Sequence, residues 1–257
     1  MKAMRIKVIN PNTSRSMTEK IGECARAVVG PGTSIVAVNP AMGPVSIESH
    51  YDEALAVPGL LAEVASGERD GIDGYVIACF GDPGLKAARE LARGPVIGIA
   101  EAAMHTASFL GGSFSVVTTL ARTIGTAQHL AEVYGMSRFC AKVRACEVAV
   151  LELEEPGSGA RERILQECRD ALAQDGSEVI VLGCAGMADL CEYIAQTLGV
   201  PVVDGVAAAT LQVASLVRQR LFTSKRGELA RPLPKQIAGL LSPFSLRSAE
   251  ADSFGMA

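Results

Sequence analysis

Two cysteines occupy matching places in the two halves of this 257-residue chain. Cys79 closes the apolar run Tyr75-Val76-Ile77-Ala78 and leads into Phe80-Gly81-Asp82-Pro83-Gly84. Cys184 closes Val179-Ile180-Val181-Leu182-Gly183 and leads into Ala185-Gly186-Met187. Each has glycine at the second position after it, and the two lie 105 residues apart. A neighbouring block repeats at nearly the same interval. Gly94-Pro95-Val96-Ile97-Gly98-Ile99-Ala100 is echoed by Val200-Pro201-Val202-Val203-Asp204-Gly205-Val206, with the prolines 106 residues apart. Two equivalent thiols facing each other across a pseudo-symmetric cleft suit a reaction that is itself nearly symmetric. Moving a proton from one face of a carbon to the other is such a reaction.

The local pattern adds chemistry to the pairing. Both cysteines fall at the carboxyl ends of predicted parallel strands, where ligands gather in α/β folds. Asp82 reads as an N-cap with Pro83 at the first helical position, and a helix is expected to begin near Met187. Helix N–H groups and the positive end of the dipole then predict a thiol pKa lowered from about 8.5 toward neutrality. The amides of Phe80, Gly81, Ala185 and Gly186 can meet the oxygen of a developing enolate. The other five cysteines, Cys24, Cys140, Cys146, Cys168 and Cys191, read as small packing residues. A metal site finds no Cys-x-x-Cys, and His50, His105 and His129 lie far apart. Acyl transfer would need His105 or His50 beside a cysteine, which nothing in the sequence places there. No dinucleotide or phosphate-loop motif is present, so the reading carries neither cofactor nor metal.

These residues need a scaffold, and the chain supplies one twice. Arg5 to Ile9 is a strand ending in the turn formers Asn10-Pro11-Asn12-Thr13-Ser14, then a helix with Ser16 and Glu19 as a capping box. Ser34–Val38, the strand ending at Cys79 and Pro95–Ile99 follow, with helices over Asp52–Ser66 and Pro83–Arg93. The pattern restarts with Phe114–Leu120, a helix over Ile124–Val133, a strand near Val143–Leu151 and a helix over Arg161–Ala173. The strand ending at Cys184 and Pro201–Val203 complete it. The fold class is therefore α/β: two pseudo-symmetric lobes, each a four-stranded parallel sheet flanked by helices, with the site between them. Residues 1–103 with about 207–225 form the first lobe, 104–206 the second, and 226–257 a polar, proline-containing tail.

Composition agrees with this. Apolar residues make up 49%, aromatics only 4% and tryptophan is missing, so Val, Ile, Leu and Ala must build the core, as parallel sheets require. A net charge of −4 without a basic patch argues against nucleic acid, and no run is long and apolar enough for a membrane span. Seven cysteines without an export signal predict reduced thiols in the cytoplasm.

Four blocks carry a resemblance: Ile9-Asn10-Pro11-Asn12-Thr13-Ser14, Ala78 to Leu85, Leu182 to Met187, and Pro201 to Val206. Together they resemble the hydantoin and allantoin racemases of the wider aspartate/glutamate racemase superfamily. The likeness runs from about residue 5 to residue 225, with Ser46-Ile47-Glu48, Asp52-Glu53-Ala54 and Thr223-Ser224-Lys225. It implies a cofactor-independent racemase of a cyclic ureide, allantoin foremost, with Cys79 and Cys184 as catalytic acid and base. It also implies that Asn10 and the backbone of Phe80, Gly81, Ala185 and Gly186 line the substrate pocket, with Thr118 and Thr119 nearby, in a homo-oligomer. Ala185 stands where some members carry glycine, and Ala121 where proline is common. Rival readings are other hydantoins, an aspartate- or glutamate-type racemase, a maleate isomerase or arylmalonate decarboxylase, and a non-enzymatic small-molecule binder.

Overall fold

A computed structural model describes residues 3–246. The first half runs β1 (Met4–Ile9), α1 (Arg15–Val28), β2 (Thr33–Val38), α2 (His50–Arg69), β3 (Gly74–Ile77), α3 (Leu85–Leu91), β4 (Val96–Gly98) and α4 (Ile99–Ser108). The second runs β5 (Phe114–Thr118), α5 (Ile124–Val133), β6 (Cys140–Ala145), α6 (Ala160–Asp175), β7 (Val179–Gly183), α7 (Cys191–Leu198), β8 (Val202–Val203) and α8 (Gly205–Arg218). The strands form two parallel sheets of order β2-β1-β3-β4 and β6-β5-β7-β8. This is the α/β fold of paired four-stranded lobes that the sequence predicts.

The central strands explain the composition. Every residue of β3, β5 and β7 is buried, as expected where helices cover both faces of a parallel sheet. Alanine is abundant because the helices approach closely: Ala100, Ala103, Ala107, Ala209 and Ala214 all lie in the main core cluster. Two helices change sides. α4 leaves β4 of the first sheet and packs on β7 of the second, while α8 leaves β8 and packs on β1, β3 and β4 of the first. The two helices also pack on each other, and a Cβ at Gly205 would lie 2.5 Å from the carbonyl oxygen of Ile99.

Several element ends differ from expectation. Ser14, not Ser16, caps α1, its hydroxyl accepting from the Met17 amide at 3.2 Å. The Ser16 hydroxyl instead donates to Glu154 at 2.9 Å, so it bridges between halves. β6 ends at Ala145 rather than reaching Leu151, because Glu147 takes a left-handed φ of 51° and the chain turns away into a 3-10 turn at Leu151–Glu154. Ala185–Leu190 is a 3-10 turn, and α7 starts only at Cys191. Asp82 does not cap α3. That helix starts at Leu85 behind a left-handed Gly84 with no side-chain cap.

Thr223 and Lys225 fasten the start of the C-terminal segment to the end of α3. Thr223 donates to the carbonyls of Arg93 and Gly94, and Lys225 to those of Arg89 and Glu90. The part of the expected tail beyond residue 246 lies outside the described residues. Among those described, no helix is long and apolar enough to cross a membrane.

Candidate active site

The strand order decides where the cysteines sit. β3 and β7 are inner strands of their sheets, so Cys79 and Cys184, just past their carboxyl ends, emerge at the centre of each lobe. Both line one cleft of about 190 Å³ between the lobes, together with Asn10, Phe80, Gly81, Thr118, Thr119 and Ala185. The sheet register places Asn10 and Thr118 equivalently: each lies one residue past a strand position paired with the residue two before its lobe's cysteine. Gly186 sits beside Cys184, where a Cβ would meet Leu153 at 2.9 Å and both the Cys184 sulfur and Met17 Cε at 3.6 Å.

Each sulfur receives the amide of the glycine two residues on, Gly81 for Cys79 and Gly186 for Cys184. The expected depression of the thiol pKa values does not occur. Burial pushes Cys79 up to about 12 and Cys184 up to about 11, and the glycine amides only partly oppose it. The reason is the late start of the helices. α3 begins six residues after Cys79, and a 3-10 turn separates Cys184 from α7, so neither sulfur sits at an α-helix N-terminus. Carboxylates add to the rise: Asp82 and Glu53 for Cys79, and Glu48 for Cys184. Once ionised, Cys184 raises Cys79 further. At neutral pH the resting cleft holds two neutral thiols.

Polar groups face the sulfurs. The side-chain nitrogen of Asn10 donates toward Asn12 Oδ1 at 2.7 Å, Thr18 Oγ1 at 3.0 Å and the Ser14 carbonyl at 3.2 Å. Three acceptors around one nitrogen fix the orientation of the amide and leave Oδ1 without a partner among the described residues. Since no buried side-chain N or O lacks a partner, that oxygen opens onto the cleft. Thr119 is 3% exposed and its hydroxyl makes no bond among the described residues. The Thr118 hydroxyl is held by Thr123 at 2.9 Å and the Gly183 carbonyl at 3.4 Å.

The cleft also contains residues that spacing alone does not mark. Glu48, Glu53, His50 and Arg122 form its polar side. Glu48 accepts from the Val150 amide across the cleft at 2.7 Å and from the Ser46 hydroxyl at 3.3 Å. The segments Ser46-Ile47-Glu48 and Asp52-Glu53-Ala54 signalled these two carboxylates only as points of likeness, because a loop before a helix carries no periodicity. His50 is exposed and lies 3.7 Å from Glu53, while His105 bonds the Glu101 carbonyl on its own helix. No hydrogen bond among the described residues joins either histidine to a cysteine. Among the described residues, no three His, Cys, Asp or Glu side chains gather to hold a metal ion.

A model of the Asp/Glu/hydantoin racemase family matches residues 6–213. The chain belongs to that family. It is 48% identical to a hydantoin racemase of Rhizobium meliloti, over 92% of this chain and 98% of that protein. Among solved structures it is similar to an allantoin racemase from Klebsiella pneumoniae, with 52% identity and a TM-score of 0.92, covering 94% of this chain and 99% of the other. An allantoin racemase from Pseudomonas fluorescens is similar at 45% identity and a TM-score of 0.88, covering 92% and 100%. Likeness of this extent makes the protein a racemase, an isomerase built on the family's two-lobed scaffold.

Proposed function

We propose that the protein racemises a 5-substituted hydantoin at C5, allantoin foremost, with Cys79 and Cys184 as the paired base and acid. The observation that carries this reading is the placement of two thiols, one from each lobe, on a single small cleft. In the forward step one thiolate takes the C5 proton, the C5–H electron pair moves into an enolate, and the opposing thiol returns its proton to the other face. Each turnover leaves the protonation states of the two sulfurs exchanged, and the enzyme then serves the opposite enantiomer. A thiolate whose conjugate acid has a high pKa is a correspondingly strong base for a weakly acidic carbon. With the Gly81 and Gly186 amides turned to the sulfurs, the amides of Phe80 and Ala185, directly after each cysteine on the cleft, supply donors for the enolate oxygen.

The polar lining supports a ureide. Asn10 Oδ1 is an acceptor aimed at a substrate N–H, and a hydantoin ring carries two such donors. Glu48 and Glu53 suit the further N–H groups of a ureido substituent better than an alkyl or aryl one. The same two carboxylates disfavour free aspartate or glutamate, whose own carboxylates would meet like charge. The names of the relatives support both allantoin and other hydantoins as substrates.

The test is decay of optical rotation for enantiopure allantoin, 5-isobutylhydantoin, 5-benzylhydantoin, L-aspartate and L-glutamate at matched concentration. Allantoin is expected to give the highest kcat/KM, with no turnover of either amino acid. Racemisation of an amino acid without any hydantoin would overturn the reading, and a benzylhydantoin turned over faster than allantoin would overturn the substituent preference.

A further inference from the structure

Asp82 is the least economical residue near the cleft, and its contacts give it a use. It is 5% exposed and holds a left-handed φ of 45°, a conformation that residues other than glycine seldom adopt. Its carboxylate turns away from α3 and accepts from the amides of Ala100 at 3.1 Å and Glu101 at 2.9 Å, capping α4 from outside. A third donor, the Tyr134 hydroxyl at 2.7 Å, comes from the end of α5 in the second half. Room for the carboxylate exists because residue 98 is glycine: a Cβ there would lie 2.1 Å from Asp82 Cγ. On its other side Asp82 closes the turn that carries the thiol, its amide donating to the Cys79 carbonyl at 3.0 Å.

These contacts join parts that are otherwise separate. The Cys79 turn belongs to the first sheet. α4 rests on β7, the strand that delivers Cys184, and Tyr134 follows the helix that packs on β6. We infer that Asp82, with Tyr134, is a positioning residue that fixes the Cys79 thiol relative to Cys184, so that both sulfurs reach the same carbon from opposite faces. The inference rests on the two-thiol reading. Neither side chain lines the cleft, so each acts through Cys79 and not on substrate.

The test uses Asp82→Gly, which keeps the left-handed backbone, and Tyr134→Phe, which removes only the bond from the second half. Both are compared with wild type on whichever of allantoin and 5-isobutylhydantoin turns over faster. The expected result is a kcat lowered about 10- to 100-fold in Asp82→Gly and about 3- to 10-fold in Tyr134→Phe, with KM changed less than threefold. A second readout is deuterium uptake in D2O at low conversion. Wild type should place deuterium in the product enantiomer. The variants should return a larger share of it to recovered substrate, because a displaced Cys79 exchanges its proton with solvent before the opposing thiol delivers one. A change in folding alone would lower the active fraction and leave that partition unmoved. Wild-type kcat and wild-type partition in Tyr134→Phe would overturn the inference even if Asp82→Gly failed to fold. If Cys79→Ser and Cys184→Ser keep full activity, the two-thiol reading itself has failed, which is a separate outcome.

Discussion

The most demanding consequence of the geometry is the pH profile. Burial holds Cys79 near 12 and Cys184 near 11, so the reactive form, one thiolate opposite one thiol, is scarce at neutrality. With the lower value at about 11, roughly one molecule in ten thousand carries a thiolate at pH 7, and each added pH unit multiplies that fraction about tenfold. The kcat/KM for racemisation should therefore climb with a logarithmic slope near +1 from pH 7 to 9, about 100-fold in all. Because the thiols interact, the profile should report pKa values of the pair. The assay is initial-rate polarimetry, accompanied by iodoacetamide alkylation of the free enzyme with Cys79 and Cys184 peptides followed separately. Alkylation reads the thiolates without a substrate proton in the way, and it should show the same slope. A plateau above an inflection near pH 7, in both rate and alkylation, would refute the claim that burial outweighs the glycine amides.

Three further outcomes follow from the same structure. All seven cysteines have pKa values raised by burial to about 11 or 12, above the value of 9.0 for a free thiol. Their contribution to stability is complete below pH 9 and is lost as pH rises toward 11, because unfolded thiols ionise first. Melting temperature should stay level from pH 7 to 8.5 and fall steeply above 9, as followed by circular dichroism. Thr119→Val removes a hydroxyl that makes no bond among the described residues, so kcat/KM should drop about fivefold with an unchanged melting temperature. Gly205→Ala drives a methyl group against the Ile99 backbone where α4 and α8 meet, and should cost about 1–3 kcal/mol in urea denaturation.

The sequence carried the scaffold because its signals are local. Buried apolar runs bounded by glycine and proline mark inner parallel strands, and the near-105-residue interval marks the duplication. The cysteine pair was legible for the same reason. What was not legible depends on contacts distant in sequence. Asp82-Pro83 has the composition of a cap for the next helix, yet its carboxylate caps a helix 18 residues on, because Gly98 leaves space there. Thiol pKa values reversed direction because burial is a property of the assembled lobes and not of the Cys-x-Gly turn. Glu48 reaches the cleft from a loop without periodic pattern. The passage of α4 onto β7 of the second sheet is a matter of packing that no periodicity encodes.

The central claim is that two sulfurs serve one carbon from opposing faces, and single serine variants assayed in D2O test it most directly. Cys79→Ser and Cys184→Ser should each lose about 10²–10⁴-fold in racemisation. Each variant should still exchange the C5 proton of one enantiomer faster than that of the other, and the favoured enantiomer should be opposite in the two variants. Full racemisation in either variant, or the same enantiomer favoured by both, would contradict the account.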